Sequence, residues 1–256
     1  LYSVLYMPTL ALSNSVAFSH VDDAENSFPT IRVWGTIGWI AASWAFPMIW
    51  LQQDLSFQLM PPFLSGEEVP NVTARLADAL KFSGIISITY GVFCFMLPNT
   101  PPKADAVEKL AFKKAFSLFS NKSFLVLVLA SLGVSIIHQI YFLQTGPFLS
   151  FIGIKDSAIG PAMTIGQFAE IATMAYLGFF LKRFGFKKVI TIGIMAYFAR
   201  YAIFGTSILP AWVMVVSQAF HGFCFAFFFA AGFIYVDKLA DDDVRHSAQT
   251  VFGIII

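Results

Sequence analysis

Three observations predict an all-α protein built of repeated membrane spans. Hydrophobic residues make up 57% of the 256 and charged residues only 12%, with a mean hydropathy of +0.73. A soluble domain carries about twice that charge. Uncharged runs near twenty residues recur along the chain. About 20 apolar residues, at about 1.5 Å each, cross a hydrocarbon core of about 30 Å. Finally, lysine and arginine fall almost entirely in alternate loops, as the positive-inside rule requires of a multi-pass protein. Cys94 and Cys224 both sit in apolar runs, so neither a disulfide nor a metal site is expected. Both ends fall inside apolar sequence and no signal peptide is visible, so the chain reads as a piece of a longer membrane protein.

Residues 1–18 read as most of one span. An acidic loop with Asp22, Asp23 and Glu25 leads to a helix expected over 30–51, with Pro29 in its first turn, where a missing N–H costs nothing. The run Val33 to Gln53 is uncharged for 21 residues, headed by Arg32. Helical spacing puts Arg32, Thr36 and Trp39 on one face at i, i+4 and i+7. A cation, a hydroxyl and an indole on one stripe fit a polar cavity; an arginine snorkelling to the headgroups is the alternative.

A polar loop is expected over 52–80; its Asn71-Val72-Thr73 sequon is of a kind that arises by chance. A third span is expected over 82–97, stopped by Pro98, Pro101 and Pro102, and a lysine-rich linker over 103–122 marks a boundary between two bundles. The expected domains are 1–97, a connecting loop at 98–122, and 123–256. Further spans follow over 123–154, 158–181, 189–207 and 211–236, the second and third joined by the basic turn 182–188. Another starts near Gln249. Loops 19–32, 98–122, 182–188 and 237–246 together hold twelve lysines and arginines, and the opposite loops hold only Arg75, Lys81 and Lys155. The first set is therefore assigned to the cytoplasm.

Glu170 and Arg200 each fall near the middle of a span, where an isolated charge costs at least about 2.5–3.5 kcal/mol. Adjacent helices at equal depth allow them to pair; Glu170 is alternatively a substrate contact or a protonatable group. Gln167 shares its face one turn earlier. His138, Gln139 and His221 interrupt other spans, and each histidine has an interhelical hydrogen bond as its plain alternative. His221 shares a face with Phe225 inside the aromatic run Phe220 to Phe229, which suits a cavity for a flat polar heterocycle. No phosphate-binding loop, metal-ligand cluster, nucleophile elbow or paired carboxylates appear, so no enzyme is expected.

These residues resemble the middle of the nucleoside:proton symporter family of the major facilitator superfamily. The resemblance rests on Tyr6-Met7-Pro8-Thr9-Leu10 with Asn14, and on Phe28-Pro29-x-Ile31-Arg32-x-Trp34-Gly35-Thr36-Ile37-Gly38. Later come Gln167-x-x-Glu170, Phe180-Leu181-x-Arg183-x-Gly185-x-Lys187 and Arg245-x-Ser247-Ala248-Gln249. It covers essentially the whole chain. It implies the major facilitator fold, with two six-helix bundles truncated here at both ends, helices four to six in 1–97 and helices seven to the start of eleven in 123–256.

The resemblance also implies a multi-pass inner-membrane transporter of nucleosides and protons that is monomeric and in contact with lipid. Neither a cofactor nor a nucleic-acid partner is expected. Substrate contacts carried over are Arg32, Thr36, Trp39, Gln139, Gln167, Glu170, His221 and Phe225, with Glu170 and His221 as proton-coupling candidates. Three positions depart from the family pattern: Ala226 stands where an aspartate is typical, Phe142 replaces an asparagine, and His221 replaces a tyrosine. The missing acid leaves two alternatives open. One is a facilitator or symporter of another small polar solute, such as a sugar or nucleobase; the other is a transport-dead receptor of the same fold.

Overall fold

The computed structural model describes residues 2–21, 23–100, 117–206, 209–240 and 245–256. Helix α1 spans Tyr2–Ser19 and α2 spans Ala24–Phe46. α2 starts before the expected residue 30 because Asp23 caps it, its side chain accepting from the Asn26 amide at 3.3 Å. One of the orphan amides of the first turn is thus satisfied six residues early. A π-helical turn, Pro47–Leu51, carries the span to its expected end.

The polar loop that follows contains a short helix α3, Val72–Leu76, and α4, Asp78–Cys94, begins four residues before the expected 82. Asp78 accepts from the Trp50 indole at 3.0 Å and pairs with Lys81 at 2.6 Å, which holds the first turn of α4. Most of the expected linker 103–122 lies outside the described residues. After it, Asn121 caps α5, Lys122–Phe151, by accepting from the amides of Ser123 and Phe124.

Helix α6 runs from Asp156 to Gly205. Fifty residues as one rod would be about 75 Å long, more than two bilayer cores. Gly185, at φ 75° and ψ 162°, breaks the rod in two. A side chain is disfavoured in that backbone conformation, and glycine takes it freely. The basic stretch 182–188, expected as a loop, is therefore helix on both sides of a single-residue break. Helix α7, Ala211–Leu239, deforms twice, into a 3₁₀ turn at Ser217–Ala219 and a π turn at Phe225–Ala230. Helix α8 spans Arg245–Ile255, starting before the expected 249. Among the described residues, Val72–Cys94, α5, α6 and α7 are long and apolar enough to cross a membrane, and α6 is long enough to do so twice.

Both halves of α6 pack on α7. Gly166 in the first half faces His221 and the Gln218 carbonyl; Gly193 in the second faces Phe227 and Phe228. The chain therefore reverses at Gly185. At the first crossing a Cβ on Gly222 would lie 2.4 Å from the Ala169 carbonyl carbon. The two backbones can approach this closely only with a glycine there.

Helix α2 lies antiparallel along the first half of α6. From one end to the other, Lys182 donates to Asn26, Thr36 donates to Glu170, and the Trp44 indole donates to Thr164 at 3.1 Å. Near the basic end the stacked rings of Phe18 and Phe28, 4.3 Å apart, pack with Leu177, Leu181 and Phe227. At the other end the loop after α2 clasps the start of α6: Glu68 accepts from the Ser157 amide at 2.7 Å, and Lys155 donates to the carbonyls of Ser65 and Gly66. A carboxylate at a helix start is favoured by the free amides and the helix dipole.

Gly222→Ala is expected to lower stability by about 1–3 kcal/mol, the usual cost of overpacking, whereas Gly38→Ala, which meets nothing within 4 Å, is expected to be neutral. Thermal unfolding of the detergent-solubilised full-length protein, followed by thiol-reactive dye, separates the two.

Candidate functional site

The predicted stripe on α2 is realised. Thr36 is buried and donates to Glu170 Oε1 at 2.6 Å. The Arg32 guanidinium lies 4.6 Å over the Phe225 ring, and Trp39, half-buried, packs on the cluster containing Tyr141, Ala162 and Met163. About two turns of one helix thus present a cation, a hydroxyl and an indole to the rest of the bundle.

Glu170 and Arg200, for which a direct ion pair is one of the readings above, are joined through a third residue. Glu170 Oε2 lies 3.7 Å from His221 Nε2, and Arg200 Nη1 lies 3.0 Å from His221 Nδ1. The imidazole stands between the two charges because the Gly166–Gly222 crossing brings α7 hard against α6 at that level. All three side chains are buried, Arg200 completely. Tyr141 holds the arginine from one side, with Cζ 4.1 Å from its ring centroid, and Tyr197 and Tyr201 lie at 5.4 and 5.3 Å. Cation–π contact of this kind partly replaces lost solvation.

A second histidine belongs to the same cluster. His138 stacks on His221 with ring centroids 5.8 Å apart and planes 8° apart, and its Nδ1 is 2.8 Å from the Tyr197 hydroxyl. Phe142 meets His138 edge-on at 4.9 Å. Gln167 is buried one turn before Glu170 with its Oε1 unbonded, as are both amide atoms of Gln218 and the Tyr141 hydroxyl. Buried polar atoms are nearly always bonded, so these point to a polar occupant of the cluster. Gln139 is exposed and is not drawn into it.

Of the predicted site residues the structure therefore gathers Arg32, Thr36, Glu170, His221 and Phe225, with Gln167 and Trp39 at the margins. It adds His138, Tyr141, Tyr197, Arg200 and Gln218. Tyr197 and Arg200 share a helix face at i, i+3, a spacing that could have marked them together. The π turn beginning at Phe225 underwinds and widens α7 beside the cluster, a deformation frequent at functional sites. Among the described residues no group of three His, Cys, Asp or Glu converges on a metal position.

A sequence model described as "Nucleoside H+ symporter" matches residues 1–256. The chain belongs to the nucleoside H+ symporter family. It is 34% identical over 255 residues to the putative nucleoside transporter YegT of Escherichia coli (strain K12), covering 97% of this chain and 56% of that protein. It is 30% identical over 272 residues to nucleoside permease NupG of the same organism, covering 98% and 59%. A crystal structure of nucleoside transporter NupG, in an Asp-to-Ala mutant form, superimposes with a TM-score of 0.67 at 27% identity, covering 98% of this chain and 61% of that one. The chain thus spans less than two thirds of the length of these relatives. Its architecture is the major facilitator fold. The family is one of membrane transporters, as the composition and the absence of enzyme motifs predict.

Thr36→Val removes the hydrogen bond to a buried carboxylate and is expected to cost about 1.5–3 kcal/mol. Thr36→Ser keeps the hydroxyl and is expected to melt within a degree or so of the parent. The thermal unfolding assay used for the glycine variants checks both.

Proposed function

We propose that the full-length protein imports nucleosides together with protons, by alternating access about a site between its two helix bundles. The observation that carries this reading is the Thr36–Glu170 hydrogen bond, a buried carboxylate shared between α2 and α6 at mid-span. A group so placed feels both the arrangement of the bundles and the proton it carries, which is what coupling one to the other requires. Family membership and the nucleoside-transporter relatives support the choice of substrate.

In this reading Arg32, Thr36, Trp39, Gln167, Glu170, His221 and Phe225 contact the nucleoside. The aromatic faces take the base, and the amide, hydroxyl and charged groups take its polar edges and the ribose. Gln139 joins from its exposed position when the bundles rock. Glu170 is the proton carrier. The setting is the inner membrane, in contact with lipid, as a monomer without cofactor or nucleic acid.

Ala226 favours a second reading. It is buried beside Phe225 where the family pattern has an acid, and a protein lacking that acid fits facilitated diffusion of a nucleoside or another small polar solute.

Radiolabelled uridine and adenosine uptake, in cells without nucleoside permeases of their own, separates the two. Proton coupling predicts uptake that a protonophore abolishes, and at least about a tenfold loss of accumulation in Glu170→Gln, equivalent to about 1.4 kcal/mol. Gly38→Ala, whose added methyl meets nothing within 4 Å, serves as the control. Uptake indifferent to the protonophore establishes the facilitator instead.

A further inference from the structure

We propose that Arg200 is the positioning residue of the proton site, holding His221 in its Nε2–H form through an N–H···Nδ1 bond so that Glu170 alone takes up the transported proton. This deepens the proton-coupled reading above and rests on it.

The argument is one of donors and acceptors. A guanidinium has five N–H groups and no acceptor. At 3.0 Å from Arg200 Nη1, His221 Nδ1 must therefore accept. A neutral imidazole carries one N–H, which must then sit on Nε2. That nitrogen faces Glu170 Oε2 at 3.7 Å, within ion-pair range and longer than a hydrogen bond. An imidazolium would turn an N–H against the guanidinium and set two cations in contact, so His221 cannot be charged while this bond stands.

The groups packed around His221 leave one place for a proton. From α6 it meets Glu170 and Arg200, whose guanidinium lies over the Tyr197 and Tyr201 rings; from α5, His138 and Tyr141; from α2, the Arg32 charge acts on it. Stacking His138 parallel to His221 disfavours charging both rings together. Glu170 is the single acidic side chain among the described buried residues, and position 226 offers none. The proton that binds from solution forms an O–H on Glu170, and the same O–H bond breaks when it is released on the other side; His221 keeps its own proton throughout. Arg200 touches neither reacting atom and acts through the imidazole.

Two measurements on the full-length protein test this. In proteoliposomes with radiolabelled uridine, Arg200→Met is expected to move the pH of half-maximal proton-driven uptake up by about one unit, since the buried cation no longer repels the incoming proton and His221 is released to bind one. Arg200→Lys, which keeps the charge and a donor, returns it to the wild-type value. A merely structural arginine would change the maximal rate and leave that pH where it was, and such a result overturns the proposal. If Arg200→Met does not fold, ¹⁵N NMR of histidine-labelled wild-type protein decides. The resonances lost in His221→Gln are expected to show a protonated Nε2 and a bare Nδ1 at pH 7. A protonated Nδ1, or an imidazolium, overturns the assignment. Absence of uridine counterflow in the wild type defeats the transport reading itself, and the NMR tautomer then decides the role of Arg200 independently.

Discussion

A carboxylate buried at mid-span has to be answered by the surrounding protein, and much of this structure follows from how Glu170 is answered. Isolated, it would cost several kcal/mol in a hydrocarbon setting. Here one oxygen takes the Thr36 hydroxyl from α2 and the other faces the His221 ring from α7. Two helices far apart in sequence are thereby tied to one side chain of a third. The hydrogen bond to α2 is also the middle link of the long α2–α6 seam, which Trp44–Thr164 and Lys182–Asn26 extend in both directions.

That arrangement depends on backbone proximity, and proximity depends on small residues. Gly166 and Gly222 lie at one crossing, each facing the other helix's backbone or Cβ atoms. With side chains there, α6 and α7 would separate and His221 would lose either Glu170 or Arg200. In a membrane, where burial of apolar surface from lipid contributes little, close packing and interhelical hydrogen bonds carry helix association. The cluster uses both in the same place.

Arg200 shows how an intramembrane cation can be tolerated without a direct carboxylate partner. Three tyrosine rings surround it and one imidazole nitrogen accepts from it. Its charge reaches Glu170 only through a neutral, polarisable ring. Position 226, next to Phe225, is alanine, and the His221 ring on α7 faces the buried Glu170 carboxylate instead.

Much of this was legible in the sequence. Local periodicity alone put Arg32, Thr36 and Trp39 on one stripe, because the helical repeat is a property of contiguous residues. Counting from span ends placed Glu170 and Arg200 at equal depth, because rise per residue is constant. Apolar content declared the membrane. Helix starts were misplaced where a cap or an anchor from elsewhere decided them, as with Asp23 for α2 and Trp50 for Asp78 at α4. Rotation about the membrane normal was beyond the sequence, since azimuth is set by which helix packs on which. Only the tertiary structure could insert His221 between Glu170 and Arg200, bring His138 and Tyr197 into the cluster, leave Gln139 outside it, and reduce the basic loop to a break at Gly185. Those outcomes depend on interhelical distances of a few ångströms, which glycines at crossings determine and one-dimensional patterns do not encode.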